Sequence, residues 1–424
     1  MQKHLNKKGF TIVELVIVIV VIAILAAVLI PTFIGLNRKA QIAADTSLAR
    51  ELNNAIAMSE TDVDTFEEAL AALRDGGFLI ANLNAKAKGC YFVWEDKTNQ
   101  IIYVDAENDF EVIYSNGTYE AIGGTWYLAV SNKAKADELK ALNSAINVKM
   151  TIANTKDLST AINESGTNTV YIDESLVIDN KSVIVMNNSE AKVTIDLGNA
   201  TISGNNDEVL AVENVPFQVD AGELTLKGGV IAATGSYLDA DGDLVSSAVV
   251  ANAGILNLNG TVVDAPNGDI VVSYDGANGT VSNSTIRAMG QGIGVFSGSE
   301  VVVENCSVDT GWEAVFVSDS GGVSKATIKG GSYNCDGNTV VSHGGIVVIE
   351  GGNFTATQEN LLKMYSAGGS ITIKGGTFSN ATYKNYTLDM LTVDVIKAMI
   401  ATGSTNYANI TVTENADGSF TITN

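Results

Sequence analysis

The chain has 424 residues, of which 48 are acidic and 25 basic, and its net charge is −23. This length allows two or three domains, and the negative charge disfavours nucleic acid and anionic lipid as partners. Two histidines and three cysteines argue against histidine-based catalysis, a metal site and a disulfide framework.

The first thirty residues combine a small-to-large step, an acidic residue and a long apolar run. Two lysines precede Gly9-Phe10, Glu14 follows, and residues 15–30 contain no polar side chain. A carboxylate near the start of a membrane-spanning helix costs roughly 2.5 to 3.5 kcal/mol, which makes it a functional residue by default. Glu14 is therefore predicted to have a charged partner, which need not lie in this chain.

These residues closely resemble the class III prepilin N-terminus of type IV pilins and type II secretion pseudopilins. The resemblance implies that a prepilin peptidase/N-methyltransferase removes a leader of residues 1–9 by cleaving between Gly9 and Phe10, and methylates Phe10. It also implies that Glu14 pairs with the terminal ammonium of a neighbouring pilin subunit, which gives attraction and register together. The expected protein is a single-pass membrane precursor that becomes part of an extracellular filament or the cell surface.

Two other interpretations of the N-terminus stay open. A secretory signal peptide would use the first lysines as its basic region and Leu25-Ala26-Ala27 as an approximate cleavage site, although a glutamate in its apolar region is unfavourable. An uncleaved transmembrane anchor fits if no peptidase is present. In either anchored form, the positive-inside rule places the chain after about residue 35 outside the cytoplasm.

The pattern over residues 10–58 predicts one long pilin helix, transmembrane to about residue 30. Apolar residues are continuous to Ile30 and then thin to a stripe, with charged residues on the other faces. Pro31 and Gly35 are the predicted positions for a bend.

Residues 59–125 predict a small α+β head, followed by a connector at residues 126–150. The head is expected to contain a helix over residues 65–73, which Gly76-Gly77 ends. Strands are expected at residues 91–94, 101–104 and 111–114. One further helix is predicted in the connector, over residues 133–146.

Eight similar segments repeat within residues 151–380. Each has an apolar anchor, Gly or Asn two residues later, and a second apolar residue at its sixth position. The anchors are Leu197, Leu226, Leu258, Val281, Val303, Ile328, Ile349 and Ile373. Because Gly and Asn best tolerate the left-handed conformation, each copy is predicted to turn at the same place. The anchor and the residue two before it are expected to face inward.

The repeat resembles right-handed parallel β-helix proteins of the pectate-lyase-like class, over roughly residues 169–379. A short apolar strand precedes most copies, and the later spacing of roughly 21 to 25 residues is the length of one coil. A leucine-rich repeat lacks its leucine pattern here, and a β-sandwich is the other alternative. Residues 381–424 are expected to form a cap, with a hairpin of strands at residues 410–413 and 420–423.

Several β-helix proteins act on polysaccharides, so carboxylates at the bends between strands are candidate catalysts. A pectate-type lyase needs a basic residue, and the repeat has one arginine, Arg287, whereas a glycosidase needs two carboxylates about 5 to 10 Å apart. The bend acids are Asp264, Asp269, Asp275, Asp309, Glu313 and Asp319. Solvated loop residues have the same pattern, and no catalytic residue, metal or cofactor is predicted.

Two further groups are candidate ligand contacts. Asp239, Asp241 and Asp243 have the acid density of a calcium loop but lack the EF-hand order, so a solvated turn is the competing interpretation. Trp312 is a candidate sugar contact, together with Tyr237, Tyr274 and Tyr365.

The sequence thus predicts a pilin spine with a small α+β head and an all-β solenoid. We expect a structural subunit, minor or at the tip, of a type IV pilus or pseudopilus that displays an adhesive or glycan-binding β-helix. The alternative is a surface-tethered polysaccharide lyase or glycosidase. The expected partners are the prepilin peptidase, other pilin subunits, the inner or cytoplasmic membrane and a polysaccharide, and not nucleic acid.

Overall fold

The computed structural model has two compact units, residues 1–128 with 139–147 and residues 129–138 with 148–424. The residues that it describes are 12–59, 62–78, 83–117, 126–130, 141, 146–152, 155–172, 175–178, 183–204, 216–233, 237–238, 244–245, 247–357, 360–366, 368–380, 386–400 and 410–423. The helix predicted over residues 133–146 lies almost entirely outside them.

The first unit is built on one long helix, α1 (Ile12–Ala57), which continues through Pro31. Its second half is amphipathic, and Ala49, Leu52 and Ile56 are buried. A second helix, α2 (Phe66–Asp75), begins with a capping box formed by Thr65 and Glu68. The predicted helices of the spine and the head are confirmed.

An antiparallel sheet packs on α1. Its strands are β1 (Cys90–Glu95), β2 (Gln100–Asp105), β3 (Glu111–Tyr114) and β4 (Trp126–Val130). The strand β1 lies between β4 and β2, and β3 pairs with β2. The three predicted head strands are therefore confirmed, and β4 is an additional one.

The second unit is a parallel β-solenoid with three faces, each formed by strands that stack from coil to coil. On the first and second faces lie β5 (Ile146–Ile152), β6 (Gly166–Ile172), β7 (Leu176–Ile178), β9 (Ala191–Gly204), β11 (Glu223–Ala233), β15 (Ile255–Asn259), β16 (Val262–Ala265), β18 (Asn278–Ser282), β19 (Thr285–Ala288), β21 (Glu300–Glu304), β22 (Cys306–Thr310), β24 (Lys325–Cys335), β26 (Ile346–Ala356), β28 (Ser370–Ile373) and β29 (Thr377–Ser379). The long strands β9, β11, β24 and β26 bend from the first face into the second.

The third face is a separate sheet of eight described strands, all parallel. They are β8 (Ile184–Met186), β10 (Phe217–Val219), β14 (Val249–Ala251), β17 (Ile270–Asp275), β20 (Gln291–Phe296), β23 (Glu313–Ser318), β25 (Asn338–His343) and β27 (Leu362–Ser366). The predicted three strands per coil are confirmed, while right-handed winding stays a prediction from the resemblance.

The repeat anchors stack in register along the first face, with one correction. From Leu226 to Ile373 each anchor is fully buried and pairs with the next. Leu226 pairs on its other side with Ile195, not with the predicted anchor Leu197. The sixth positions Ile202 and Ile231 nevertheless pair, so β9 holds two extra residues at its bend. Leu197 is also buried, which explains why its apolar character resembled an anchor.

The predicted left-handed turn is present, but its position shifts along the solenoid. The third positions Gly228, Gly260, Asn283 and Asn305 have φ between 50° and 66°. In the last two copies the positive φ instead falls one residue later, on glycines 352 and 376. Either glycine of those Gly-Gly pairs can adopt a positive φ, so the sequence did not determine which of the two forms the turn.

The interior contains an ordered aromatic stack. Tyr333, Phe354 and Phe378 occupy the sixth position in three successive coils, with ring centroids 4.9 and 5.1 Å apart and nearly parallel planes. Gly279 replaces a larger anchor neighbour because a Cβ there would lie 2.8 Å from the Tyr274 ring and 1.8 Å from the Leu256 carbonyl oxygen.

Both ends of the solenoid are covered. The helix α3 (Thr155–Ala161) contributes the buried Leu158 to the core at the beginning. At the far end, the predicted hairpin of β31 (Thr411–Glu414) and β32 (Phe420–Thr423) is confirmed, and β32 pairs antiparallel with β28. The strand β30 (Tyr386–Thr387) covers β29, and α4 (Val393–Met399) adds Ile396 to the core. These elements protect strand edges that would otherwise pair with other chains.

Candidate functional site

Glu14 lies in the first turn of α1 and is exposed. The large apolar side chains between Ile12 and Leu36 are 47 to 82% exposed. In the described part of the chain, α1 is the one helix long and apolar enough to cross a membrane. The predicted processing residues Gly9 and Phe10 lie outside the described residues.

A buried carboxylate fixes the second half of α1 to the rest of the first unit. Asp45 is 1% exposed, and it accepts hydrogen bonds from the backbone N–H groups of Lys86 and Ala87, both at 2.9 Å. The Tyr103 hydroxyl donates a third bond to it at 2.8 Å. Burial and the hydrogen bonds to Cys90 and Asp45 raise the pKa of Tyr103, so its hydroxyl stays a donor.

Two more side chains of α1 bind the sheet. The Asn53 side chain exchanges two hydrogen bonds with the backbone of Ile101, each of 2.8 Å. Arg38 donates to Asp105 at 2.8 Å and to the carbonyl of Lys88 at 2.7 Å. Helix orientation is thus set by polar contacts, which leave the apolar residues near Glu14 available for other partners.

The calcium-like triplet Asp239, Asp241 and Asp243 lies outside the described residues. The short strands on either side of it, β12 (Tyr237–Leu238) and β13 (Leu244–Val245), pair antiparallel. This segment interrupts the coil pattern before β14, so β12 and β13 belong to an insertion between two coils.

Two of the bend acids face each other across Arg287 on the second face. Asp264, Arg287 and Asp309 occupy the same register in three adjacent strands, with the Arg287 guanidinium 4.0 Å from Asp264. They line a groove of about 520 Å³ that also includes Asp336. Two strand spacings separate the backbones of Asp264 and Asp309 by about 9.5 Å. Among the described residues, no group of three His, Cys, Asp or Glu side chains is close enough to hold a metal ion.

Glu313 is buried, unlike the other bend acids. It is the first residue of β23 and is 9% exposed. Burial raises its pKa, while nearby Lys363 and a hydrogen bond with Gln291 act in the opposite direction. Trp312, the preceding residue, is 54% exposed and could contact a ligand.

The predicted sugar-stacking residues do not form one platform. Tyr274 is wrong as a surface candidate, because it is fully buried and its hydroxyl donates to the Leu256 carbonyl at 3.1 Å. Tyr274 and Val272 are two residues apart in β17, so both side chains point inward. Tyr237 lies in the inserted segment, and its side chain is outside the described residues. Tyr365 is half-buried on the third face.

Tyr365 belongs to an aromatic row that the sequence analysis did not find. The row consists of Phe296, Phe316, His343 and Tyr365, from four successive coils of the third face, with ring centroids 5.7, 6.0 and 5.5 Å apart in that order. A signal was present, since Phe316 lies between two inward-facing valines and must point outward.

Comparisons with known proteins match the N-terminal features. Residues 4–30 match the family model of the prokaryotic N-terminal methylation motif. The chain is 49% identical over 55 residues to the type IV wide pilus major component PilA4 of Thermus thermophilus, which covers 13% of this chain and 40% of that protein. It is 28% identical over 138 residues to the fimbrial protein of Moraxella nonliquefaciens, which covers 32% of this chain and 87% of that protein.

The chain therefore spans less than half the length of the first of these relatives, and each match leaves more than two thirds of this chain uncovered. No solved structure matches it. The methylation motif implies processing by a prepilin peptidase and assembly with pilin subunits. With the apolar helix α1, it fits a membrane-anchored precursor of a pilus subunit.

Proposed function

We propose that this chain is a structural subunit of a type IV pilus or of a type II secretion-like pseudopilus, and that it displays its β-solenoid outside the cell. The observation that carries the proposal is the methylation motif at residues 4–30, which continues directly into an apolar helix with exposed side chains. The pilin relatives support it.

In this role the precursor is anchored by α1 with its lysines on the cytoplasmic side. Cleavage after Gly9 makes Phe10 the methylated N-terminus. Glu14 then pairs with the terminal ammonium of a neighbouring subunit, and the apolar side chains of the helix pack against other pilin helices. The ion pair sets the register, because a buried carboxylate without its partner is strongly unfavourable.

The subunit is minor or lies at the tip of the filament, where its solenoid acts in adhesion or glycan binding. The support is size: the solenoid unit comprises most of the 424 residues. A unit this large on every subunit would crowd the filament shaft. Binding modules also need an exposed surface, which a tip provides.

The mature N-terminus and the filament content test the pilin role. Mass spectrometry of the mature protein is expected to find N-methylated Phe10, and an intact leader would contradict the proposal. Glu14→Ala is expected to leave the protein in the membrane but absent from sheared filaments. Glu51→Ala, an exposed acid on the same helix, is the matched control and should assemble normally. High abundance along the shaft would argue against the minor or tip position.

The groove between Asp264 and Asp309 favours one second candidate, a surface-tethered polysaccharide lyase or glycosidase. The groove holds two carboxylates with Arg287 between them, and a basic residue beside carboxylates is what a pectate-type lyase needs. A panel of polysaccharides tests the enzyme. If the protein degrades one of them and Asp309→Asn abolishes that activity, the result supports the enzyme and contradicts a purely binding role.

A further inference from the structure

The aromatic row, Phe296 with Phe316, His343 and Tyr365, lies on the outer side of the third face. One ring comes from each of the strands β20, β23, β25 and β27. His343 is exposed and the other three rings are half-buried, and the planes of neighbouring rings are inclined by 38°, 80° and 45°, so the row offers both ring faces and ring edges. Because the strands stack along the solenoid, the row follows the direction in which the coils add.

The rings of this row are held in place by their surroundings. A Cβ at Gly294 would lie 2.5 Å from the Phe296 ring, so only glycine leaves room for that ring to lie over the strand. Lys363 donates a hydrogen bond to the Tyr365 hydroxyl, and its ammonium lies 4.1 Å from the centroid of that ring. Val341, in register between Phe316 and Lys363, is fully buried although the alternation points it outward. The row is therefore an ordered surface with a packed apolar floor.

We propose that the aromatic row binds a neutral polysaccharide that extends along the solenoid, with one sugar ring over each coil. This inference rests on the proposed display of the solenoid outside the cell. The face of an aromatic ring is electron-rich, and it attracts the C–H groups on the face of a pyranose ring. Centroid spacings of 5.5 to 6.0 Å are close to the length of one sugar residue in a linear chain.

The charges near the row include two acids and one ammonium, that of Lys363, so their sum disfavours anionic chains. Asp275 is in register beside Phe296, and the Asp319 carboxyl packs over Gly344, next to His343. Both acids are exposed and can accept hydrogen bonds from sugar hydroxyls. Together with the net charge of −23, they disfavour polyuronates and nucleic acids.

The shape of the row favours a linear polymer over a protein partner. It is one ring wide, and three of its four rings are half-buried. Their exposed area is well below the roughly 800 Å² per partner of a standard protein interface. A polysaccharide needs only a narrow strip, since it can gain one contact per sugar along its length.

Affinity electrophoresis of the full chain in detergent micelles tests this proposal. The gels contain a β-1,4-glucan, a β-1,3-glucan or a galactomannan, with polygalacturonate as the charged comparison. We expect at least one neutral polysaccharide to retard the protein and polygalacturonate not to do so. Phe316→Ala and Tyr365→Ala should each weaken binding about tenfold, the effect of losing a stacked ring. Val177→Ala, which removes an exposed apolar side chain of β7, is the control and should retain affinity. Trp312→Ala removes the competing candidate contact, and it should also retain affinity if the row is the site.

A second pair of variants tests the geometry without removing a ring. Gly294→Ala should displace the Phe296 ring and weaken binding severalfold. Gly351→Ala is its matched control, since a Cβ there has only ordinary contacts, the nearest at 3.8 Å. Circular dichroism melting of each variant shows that the solenoid stays folded.

The outcomes separate the two proposals. If no neutral polysaccharide retards the protein while sheared filaments contain it, the glycan site is wrong and the pilin role stands. If binding depends on the row but the chain never enters filaments, the pilin role is wrong and the site stands. Two other results would overturn the assignment of this row: polygalacturonate binding as tightly as the neutral polysaccharides, or a loss of affinity in Trp312→Ala but not in Tyr365→Ala.

Discussion

In the first unit, three polar side chains of α1 connect the helix to backbone and side-chain groups between 41 and 67 residues away in the chain. In the solenoid, each coil instead contacts its neighbours through apolar residues at repeated positions, such as the anchors and the aromatic stack. The first arrangement adds a few specific polar contacts, each of which joins distant segments, to the apolar burial of residues such as Leu52. The solenoid has many equivalent contacts between adjacent coils.

This difference predicts different responses to damage. A repeat array behaves approximately as a sum of coil stabilities and interfaces between adjacent coils, so a defect weakens its own surroundings first. A helix held to a sheet by a few buried hydrogen bonds has no equivalent contact to replace one that is lost. The following predictions test that comparison, in order of decreasing effect.

The largest effect is expected for Phe354→Ala, which removes the middle ring of the interior stack. The cavity should lower the free energy of unfolding of the solenoid by about 3 to 5 kcal/mol. Hydrogen exchange measured by mass spectrometry should accelerate most in β24, β26 and β29, and least in the distant β9. Trp312→Ala, which removes an exposed ring, is the control and should cost less than about 1 kcal/mol. Uniform acceleration over all coils would contradict local stability.

Asp45→Ala should have the next largest effect on stability. It leaves two backbone N–H groups and the Tyr103 hydroxyl without their acceptor, and each unsatisfied buried group costs about 1 to 3 kcal/mol. We expect a loss of about 2 to 4 kcal/mol, measured by urea unfolding in detergent. Exchange should accelerate throughout β1, β2 and the second half of α1 together. Glu51→Ala should leave the midpoint unchanged, and a change confined to residues 86–87 would show that the unit is less cooperative than we expect.

A smaller effect is expected for Arg38→Ala. Its ion pair with Asp105 is about one third exposed on the arginine side, so solvent screens it. The loss of this pair and of the bond to Lys88 should cost about 0.5 to 1.5 kcal/mol. The cost should fall in high salt, whereas that of Asp45→Ala should not. A cost as large as that of Asp45→Ala would remove the distinction between buried and exposed contacts.

The smallest effect concerns pH. Burial raises the folded-state pKa of Glu313 above its ordinary value of 4.5, so the folded solenoid favours the protonated form. Its contribution is therefore most favourable at low pH and is lost as pH rises through the folded pKa. Glu313→Gln should remove this dependence and slightly raise the melting temperature at neutral pH. The melting temperatures of the original protein and of Glu313→Gln, measured between pH 4.5 and 8, test this dependence. If the two melting temperatures change in parallel with pH, ionisation of Glu313 does not destabilise the solenoid.

Most of the fold could be predicted from local patterns. The apolar run, the glycine pair at residues 76–77 and the alternation around the repeat anchors are each contained in a short segment, and all three correspond to observed elements. The errors came where local signals were degenerate. Leu197 and Ile195 are both buried, so only strand pairing decided which of them is the anchor.

The candidate sites were less predictable, because side chains far apart in sequence form them. Tyr274 and Tyr365 were both candidate sugar contacts, yet one fills the interior and the other lies in the aromatic row. Asp264 and Asp309 lie on either side of Arg287 only because three coils stack in this register.

By itself, the sequence determined the prepilin-like motif, the apolar helix and the solenoid, because hydrophobic burial and backbone conformation leave periodic signals within a few residues. Only the tertiary structure decided which carboxylate fixes the helix and which aromatic residues share a surface. Asp45 reaches its partners 41 to 58 residues away, and the aromatic row brings together rings from four coils. Such contacts depend on the stacking of strands, which sets distances that no local pattern records.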